Sequence, residues 1–190
     1  MLIALLPMKY NSERVPKKNV RPLAGKPLFF YIADTIKKTG LFDKLVINTD
    51  STDIGEMAAQ RYRDWAIINK RPLELQGDMI SMNRIIQYDV KSFGVDNDYM
   101  QIHSTSPFLL PETIASAVRV YSDQKKAGTL DSLFSVTAIQ ARLYDKDLRP
   151  INHDPQSLVR TQDLDLVYEE NSAFYLFSGE SFLANNHRIG

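Results

Sequence analysis

Short apolar runs alternate with segments of helical period along most of this chain. Met1–Leu6 is an apolar run that reads as a buried strand. Phe29–Lys38 sets Phe30, Ile32, Ala33 and Ile36 at mixed three- and four-residue spacing, which predicts a helix ending near Gly40. Lys44–Thr49 (KLVINT) predicts a second strand, and Asp53–Tyr62 a second helix with Ser51 or Asp53 as its cap. A short strand over Trp65–Ile68 follows, then a helix over Ser81–Phe93, capped near Ser81 and closed at Gly94. Tyr99–His103 (YMQIH) predicts a fourth strand. Glu112–Gln124 predicts a helix, with Pro111 suited to its first turn. Ser132–Ala138 and Ala173–Phe177 predict the last two strands, and Gly179–Ala184 a closing helical segment. Residues 139–172 between those strands are irregular, polar and proline-containing, the pattern of an excursion that serves as a substrate lid or a dimerisation arm.

Alternating β and α elements with helix-length connections predict an α/β fold of three layers around a mostly parallel sheet. A chain of 190 residues suits one domain with a real core, here spanning 1–190 with its excursion at about 139–172.

Charge refines the picture. Lys+Arg and Asp+Glu number 23 each, so no net field draws nucleic acid or an anionic membrane, and neither is expected as a partner. The distribution is uneven, however: residues 1–38 carry eight Lys/Arg against two acids. A basic head on a neutral chain suits a compact anionic ligand. Cysteine is absent, which excludes disulfides, thiolate catalysis and Cys-based zinc sites and fits a cytoplasmic protein. The first apolar run breaks at Pro7, too short for a signal core or a membrane span.

The candidate chemistry gathers in the loop after the first strand, which carries Lys9, Arg14, Lys17 and Lys18. Open α/β sheets bind ligands at the carboxyl edge of their strands, and cations fixed there favour phosphate. A solvated basic turn is the plainer reading of the same residues, and for Lys17 it is the preferred one. Neither G-x-G-x-x-G nor G-x-x-x-x-G-K-[ST] occurs, so dinucleotide-fingerprint and P-loop chemistry are not expected. Side-chain cations suit nucleotidyl transfer instead, where charge develops on the α-phosphate and on departing pyrophosphate.

From Leu5 to Leu28 the chain reads L-x-P-x-K-x-x-S-x-x-x-P-x-K-N-x-x-x-L-x-G-K-P-L. Asn48-Thr49-Asp50, Arg71-Pro72-x-Glu74-Leu75-x-x-Asp78 and His103-Ser104-Thr105-Ser106-Pro107 follow in order. Arg160-Thr161-Gln162-Asp163-Leu164 and Glu170-Asn171-Ser172-Ala173-Phe174-Tyr175 complete the series. Over essentially its whole length the chain resembles the CMP-sialic acid synthetases (acylneuraminate cytidylyltransferases). The resemblance implies a Rossmann-like fold of the nucleotide-diphospho-sugar transferase type. It also implies a cytoplasmic enzyme that joins CTP and a nonulosonic sugar acid, with Mg²⁺, to give CMP-sugar and pyrophosphate. By the same resemblance Lys9 promotes attack at the α-phosphate, Lys18 and Asn19 grip the triphosphate and ribose, and Arg71 with the Asp78–Ser81 turn borders the cytosine. Leu6, Met8 and Ser12 belong to the nucleotide side. His103, Thr105 and Ser106 line the sugar side, Arg160, Gln162 and Asn171 close over the acid, and a homodimer is expected.

Several positions depart from the family pattern. Lys9 stands for an arginine and loses the bidentate fork. His103 stands for a glutamine, which makes one sugar contact pH-sensitive; a hydrogen-bonded structural histidine is the alternative. Ser172 stands for a glycine. Asp50 is either a ligand contact or a cap of the second helix, and Thr105-Ser106-Pro107 either a substrate contact or a cap. His153 and His187 are expected at the surface. The family's metal-binding D-x-D pair is not reached before Gly190, and Asp163 and Asp165 share its spacing but are expected to face solvent. A truncated or non-catalytic nucleotide- or sugar-binding domain is therefore the alternative, as is another acidic acceptor such as pseudaminic, legionaminic or Kdo acid.

Overall fold

The computed structural model describes residues 1–12 and 15–190, so Arg14 of the basic loop lies outside the described residues. The chain divides into two compact units, Met1–Phe134 with Ala173–Gly190, and Ser135–Ser172.

The elements run β1 (Leu2–Leu5), β2 (Pro22–Leu23), β3 (Lys26–Pro27), α1 (Leu28–Thr39), β4 (Lys44–Thr49), α2 (Thr52–Tyr62) and β5 (Ala66–Lys70). They continue with α3 (Met82–Phe93), β6 (Asp98–Ile102), α4 (Pro111–Lys126), β7 (Ser132–Ile139), β8 (Val167–Ser178) and α5 (Gly179–Asn185). Six strands form one sheet in the order β5-β4-β1-β6-β8-β7. β1 pairs in parallel with β4 and β6, and β4 with β5, whereas β8 runs antiparallel to β6. The β2–β3 hairpin stands apart.

Both faces of the first unit's sheet are covered, which is why its strands read as nearly unbroken apolar runs. On one face Ala4, Leu6, Leu45, Ile47 and Met100 pack against residues of α1, α2 and α4. On the other, Ile3, Leu5, Val46, Tyr99 and Phe177 pack against Ile86 and Val90 of α3 and Phe182 of α5. The predicted three layers are thus present. Local signals fix the helix ends: Gly40 closes α1 in the left-handed region, φ 66°, and the Ser51 hydroxyl caps α2 by accepting from the Ile54 N–H at 3.2 Å.

Some boundaries differ from expectation. Trp65 lies in a 3-10 turn, and β5 extends to Lys70 because its ladder with β4 continues through Asn48↔Asn69 and Thr49↔Lys70. The β2–β3 hairpin was not expected, since two-residue strands carry no periodicity. β7 and β8 also run further than expected, to Ile139 and back to Val167.

The second unit is stitched by side chain–backbone bonds more than by a core, and Leu164 is its one buried residue among the described residues. Asn152 donates to the Ala141 carbonyl at 2.8 Å and accepts from the Leu143 N–H at 3.0 Å. The Gln140 amide donates to the carbonyls of Gln162 and Leu164. His153 is half-buried against Tyr144 and not at the surface; both its ring nitrogens are closed to solvent and meet no hydrogen-bond partner among the described residues. Ser172 has φ 58°, a left-handed conformation in which glycine is easy and serine strained. No helix among the described residues is long and apolar enough to cross a membrane.

Candidate active site

The strands of the first unit change character toward their carboxyl ends. On the α3 side, apolar Val46, Ile67 and Tyr99 give way two residues on to Asn48, Asn69 and Gln101, and His103 follows Gln101. Strand alternation places all of these on one face. Polar side chains in a buried layer need partners, and here they find one another.

Arg71 is the hub. It follows β5, is 4% exposed, and its backbone N–H donates to the Thr49 carbonyl at 2.9 Å. Its Nε donates to Asn48 Oδ1 at 2.7 Å, and its Nη2 to the carbonyls of Asn48 at 3.1 Å and Met8 at 3.4 Å. Behind it, Asn48 and Asn69 donate their amides to the same oxygen of the fully buried Asp89, at 2.7 and 2.6 Å. The other Asp89 oxygen meets no partner among the described residues. Burial pushes the Asp89 carboxyl up to about 6, against the pull of both asparagine amides and the Arg71 charge. Burial likewise lowers the Arg71 guanidinium, opposed by Asp50 and Asp89.

Above this layer a cavity of about 210 Å³ opens at the carboxyl edge of β1 and β6. Met8, Lys9, Ser12, Lys18, Asn19 and Arg71 line it, and so do Asp78, His103 and Thr105. Nine of the residues proposed from sequence therefore share one cavity. Asn19, 4% exposed, ties the basic loop to the sheet: its amide donates to the Lys9 carbonyl at 2.8 Å, and its oxygen accepts from Ser104 at 2.6 Å. This bracing commits much of the amide that was expected to grip ribose. The Lys9 ammonium pairs with the Asp78 carboxylate. A larger open cleft of about 510 Å³ shares Lys9, Gly77 and Asp78 and continues past Asp50 to Asp53. The Ser12 hydroxyl is closed to solvent and has no hydrogen-bond partner among the described residues.

The remaining proposed residues lie elsewhere. Leu6 is a core side chain on the α1 face. Ser81 is exposed at the start of α3 and makes no side-chain cap. Ser106 does not line the cavity, and Thr105-Ser106-Pro107 caps nothing, because α4 starts at Pro111 after Leu110. Asp50 is not the α2 cap; it accepts from the Tyr10 N–H at 2.8 Å. Lys17 is fully exposed, its ammonium 5.2 Å from the Tyr10 ring centroid. Arg160, Gln162 and Asn171 belong to the second unit. There Arg160 forks onto Asp163 at 2.7 and 3.2 Å, and Asn171 bonds Ser135 and Thr137 of β7.

His103 differs most from expectation. It is pushed down to about 4, first by burial, then by the Arg188 and Lys18 charges, so it stays neutral across the physiological range and is no pH switch there. Asn69, Asp89, Gln101 and Arg188 were not anticipated. Three of them carried a signal: a lone polar residue within an otherwise apolar strand or helix face.

Among the described residues no group of three His, Asp or Glu side chains could hold a cation. Asp50 is bonded to Tyr10 and Asp78 to Lys9, while Asp163 is taken by Arg160. They form no side-chain cage for a divalent ion among the described residues, whereas Mg²⁺ characteristically takes one or two carboxylates beside substrate phosphates.

A mostly parallel sheet with a basic loop and a polar cavity at its carboxyl edge defines an α/β domain suited to an anionic ligand. The chain belongs to the cytidylyltransferase family, whose model matches residues 3–188. It is 26% identical to the N-acylneuraminate cytidylyltransferase of Escherichia coli O18:K1:H7, over all of this chain and 45% of that one. It is 27% identical to the CMP-N,N'-diacetyllegionaminic acid synthase of Legionella pneumophila, over 99% of this chain and 79% of that one. The chain thus spans less than half of the E. coli relative. The fold matches a CMP:2-keto-3-deoxy-manno-octonic acid synthetase structure complexed with CTP at TM-score 0.67 and 14% identity, covering 97% of this chain and 77% of that one.

Proposed function

We propose that this chain is a cytidylyltransferase domain that activates a nonulosonic, sialic-type sugar acid with CTP. A sugar hydroxyl oxygen attacks the α-phosphorus, the bond to the β-phosphate oxygen breaks, and CMP-sugar, pyrophosphate and a proton are released. The observation that carries this reading is the convergence of Lys9, Lys18 and Arg71 with His103 and Thr105 in one cavity at the carboxyl edge of the sheet. The two ammonium groups offset charge on the phosphate chain as pyrophosphate departs. The pairing of Lys9 with Asp78 means that phosphate must compete with a carboxylate for that cation. Mg²⁺ enters as an expectation of the family resemblance alone, and acceptor choice among sialic, legionaminic, pseudaminic and Kdo-type acids rests on that resemblance too.

The test is pyrophosphate release with CTP and Mg²⁺ across a panel of those acids, with other nucleoside triphosphates as controls. Release is expected only with CTP and one class of acid. Binding of CTP without release under any condition would instead identify a binding domain. Lys9→Ala and Lys18→Ala are each expected to lower turnover about 10- to 100-fold with an unchanged melting temperature, since each removes a cation near developing charge and leaves no buried cavity. Full activity in both variants would remove these lysines from the mechanism.

The second unit is read as an arm for self-association. It exposes large apolar side chains, among them Tyr144, Leu148, Ile151, Leu158 and Tyr168, more than isolated surface residues require. Sedimentation equilibrium is expected to show a dimer that Leu148→Lys with Leu158→Lys dissociates. A monomeric parent chain would refute the arm.

A further inference from the structure

His103, which lines the cavity, ends a hydrogen-bonded series of three side chains whose bonding has one solution. Arg188, from the segment after α5, donates its Nη1 to Gln101 Oε1 at 2.9 Å. Arginine has no acceptor, so the orientation of the Gln101 amide is fixed: its oxygen faces Arg188 and its NH₂ faces the other way. That NH₂ lies 2.9 Å from His103 Nε2. An NH₂ group only donates, so Nε2 must accept and carries no proton. A neutral imidazole with a bare Nε2 holds its single proton on Nδ1.

The surroundings keep this arrangement in place. Gln101 is fully buried, which stops its amide from trading either partner for water. The Arg188 guanidinium lies 3.8 Å from the centroid of the Tyr175 ring, and the same ring sits 6.4 Å from the imidazole, tilted by 58°. Charge acts in the same direction. Arg188 and Lys18 both disfavour an imidazolium, and Lys9 and Arg71 add further cations around a cavity whose one acid among the described residues, Asp78, is paired with Lys9.

We propose that Arg188 and Gln101 are positioning residues that hold His103 as a neutral Nδ1–H tautomer, a hydrogen-bond donor toward the cavity. The inference rests on the transferase reading for its ligand, an oxygen acceptor such as the carboxylate of the sugar acid. It also excludes a role: an imidazole with Nε2 engaged and Nδ1 protonated cannot take the proton of the attacking hydroxyl, so His103 orients the acceptor and is not its general base. A glutamine at the same position would keep an NH₂ donor there, which is one chemical reason for the two residues to interchange.

The tautomer can be read directly, without substrate. The chain has three histidines, so ¹⁵N-histidine labelling with two-bond ¹H–¹⁵N correlation gives three spin systems, and loss of one in His103→Gln assigns it. The expected result is a single Nδ1–H tautomer for His103 that does not titrate between about pH 8 and pH 6, as its lowered pKa requires. An Nε2–H tautomer, or a midpoint near the ordinary value for histidine, would overturn the proposal. Gln101→Glu, nearly isosteric, presents only acceptors and pairs with Arg188. It is expected to move the proton to Nε2 and bring titration into the neutral range. Where Gln101→Glu does not fold, Arg188→Met serves, since it frees the amide to turn and should yield a mixture of tautomers. An unchanged Nδ1–H signal in the folded variant would show that the series does not set the tautomer. These spectra are independent of turnover, so an inactive chain with the expected tautomer refutes the transferase reading alone.

Discussion

Replacing Arg71 by methionine is expected to lower folding stability by about 3 kcal/mol, an unusually large loss for a residue at the rim of a cavity. The guanidinium is almost fully buried, and it is the donor to the carbonyls of Met8 and Asn48 and to the Asn48 side chain. Methionine fills much of the volume but takes the donor from Asn48 Oδ1 and the Met8 carbonyl, while the Asn48 carbonyl keeps only the Met8 N–H at 2.8 Å. Asp89, behind Asn48, loses the cation that offsets its own burial. Removing one member of such a network costs more than never having built it, because the remaining charge stays in a poorly solvated place. Asp89→Asn in the Arg71→Met background should therefore recover part of the loss, giving a coupling well outside additivity. Urea denaturation of the parent, both single variants and the double variant measures this cycle. Strict additivity would mean that Arg71 and Asp89 do not sense each other. The same residue lines the cavity, so binding and folding share one side chain, and Arg71→Lys should fold better than Arg71→Met while losing the fork.

This double duty explains what could be read in advance. Leu45, Val46 and Ile47 announce a strand buried on both faces, and Lys44–Thr49 is found with the expected bounds. Helices α1 and α3 were visible because their buried residues recur at helical spacing between clear stops at Gly40 and Gly94. The cavity-lining residues of the opening loop were placed by motif order. That order says which residues go together but not what each one bonds, so Asn19 proved to be a brace and Lys9 half of an ion pair. Leu6 follows from alternation instead: odd and even residues of β1 go to opposite cores, and Leu6 goes with Ala4. The polar layer was legible in principle. Asn48, Asn69 and Gln101 each interrupt an apolar strand two residues beyond a buried or half-buried apolar neighbour, which only a partnered site tolerates. Arg188 was not legible, since its partner Gln101 is 87 residues away.

The second large expectation concerns pH, and it follows from two buried groups displaced in opposite directions. Asp89 is raised from 3.8 to about 6, chiefly by burial. The folded chain holds that proton where the unfolded chain has lost it. Asp89 thus contributes stability that is complete below about pH 4 and disappears as pH rises through about 6. His103 is lowered from 6.5 to about 4. The unfolded chain takes up a proton that the folded chain refuses, so this contribution is complete above about pH 6.5 and is lost as pH falls through about 4. The displacements are similar in size, so over the shared window the two slopes largely cancel in the parent protein. Single substitutions should expose each one. Relative to the parent, Asp89→Asn is expected to gain stability steadily as pH rises from about 4 to 6, because it keeps the hydrogen-bonding carbonyl without a carboxyl to ionise. His103→Gln is expected to gain relative stability in the other direction, as pH falls from about 6.5 to 4. Taking differences between variant and parent cancels the titrations common to both, including that of Asp34, where burial pushes the carboxyl up but the Arg61, Tyr62 and Lys26 partners together hold it low. Denaturant midpoints measured at several pH values across this window decide the matter. Crossing difference curves would establish two opposed buried titrations, whereas parallel curves would mean that at least one group keeps its ordinary pKa in the folded chain.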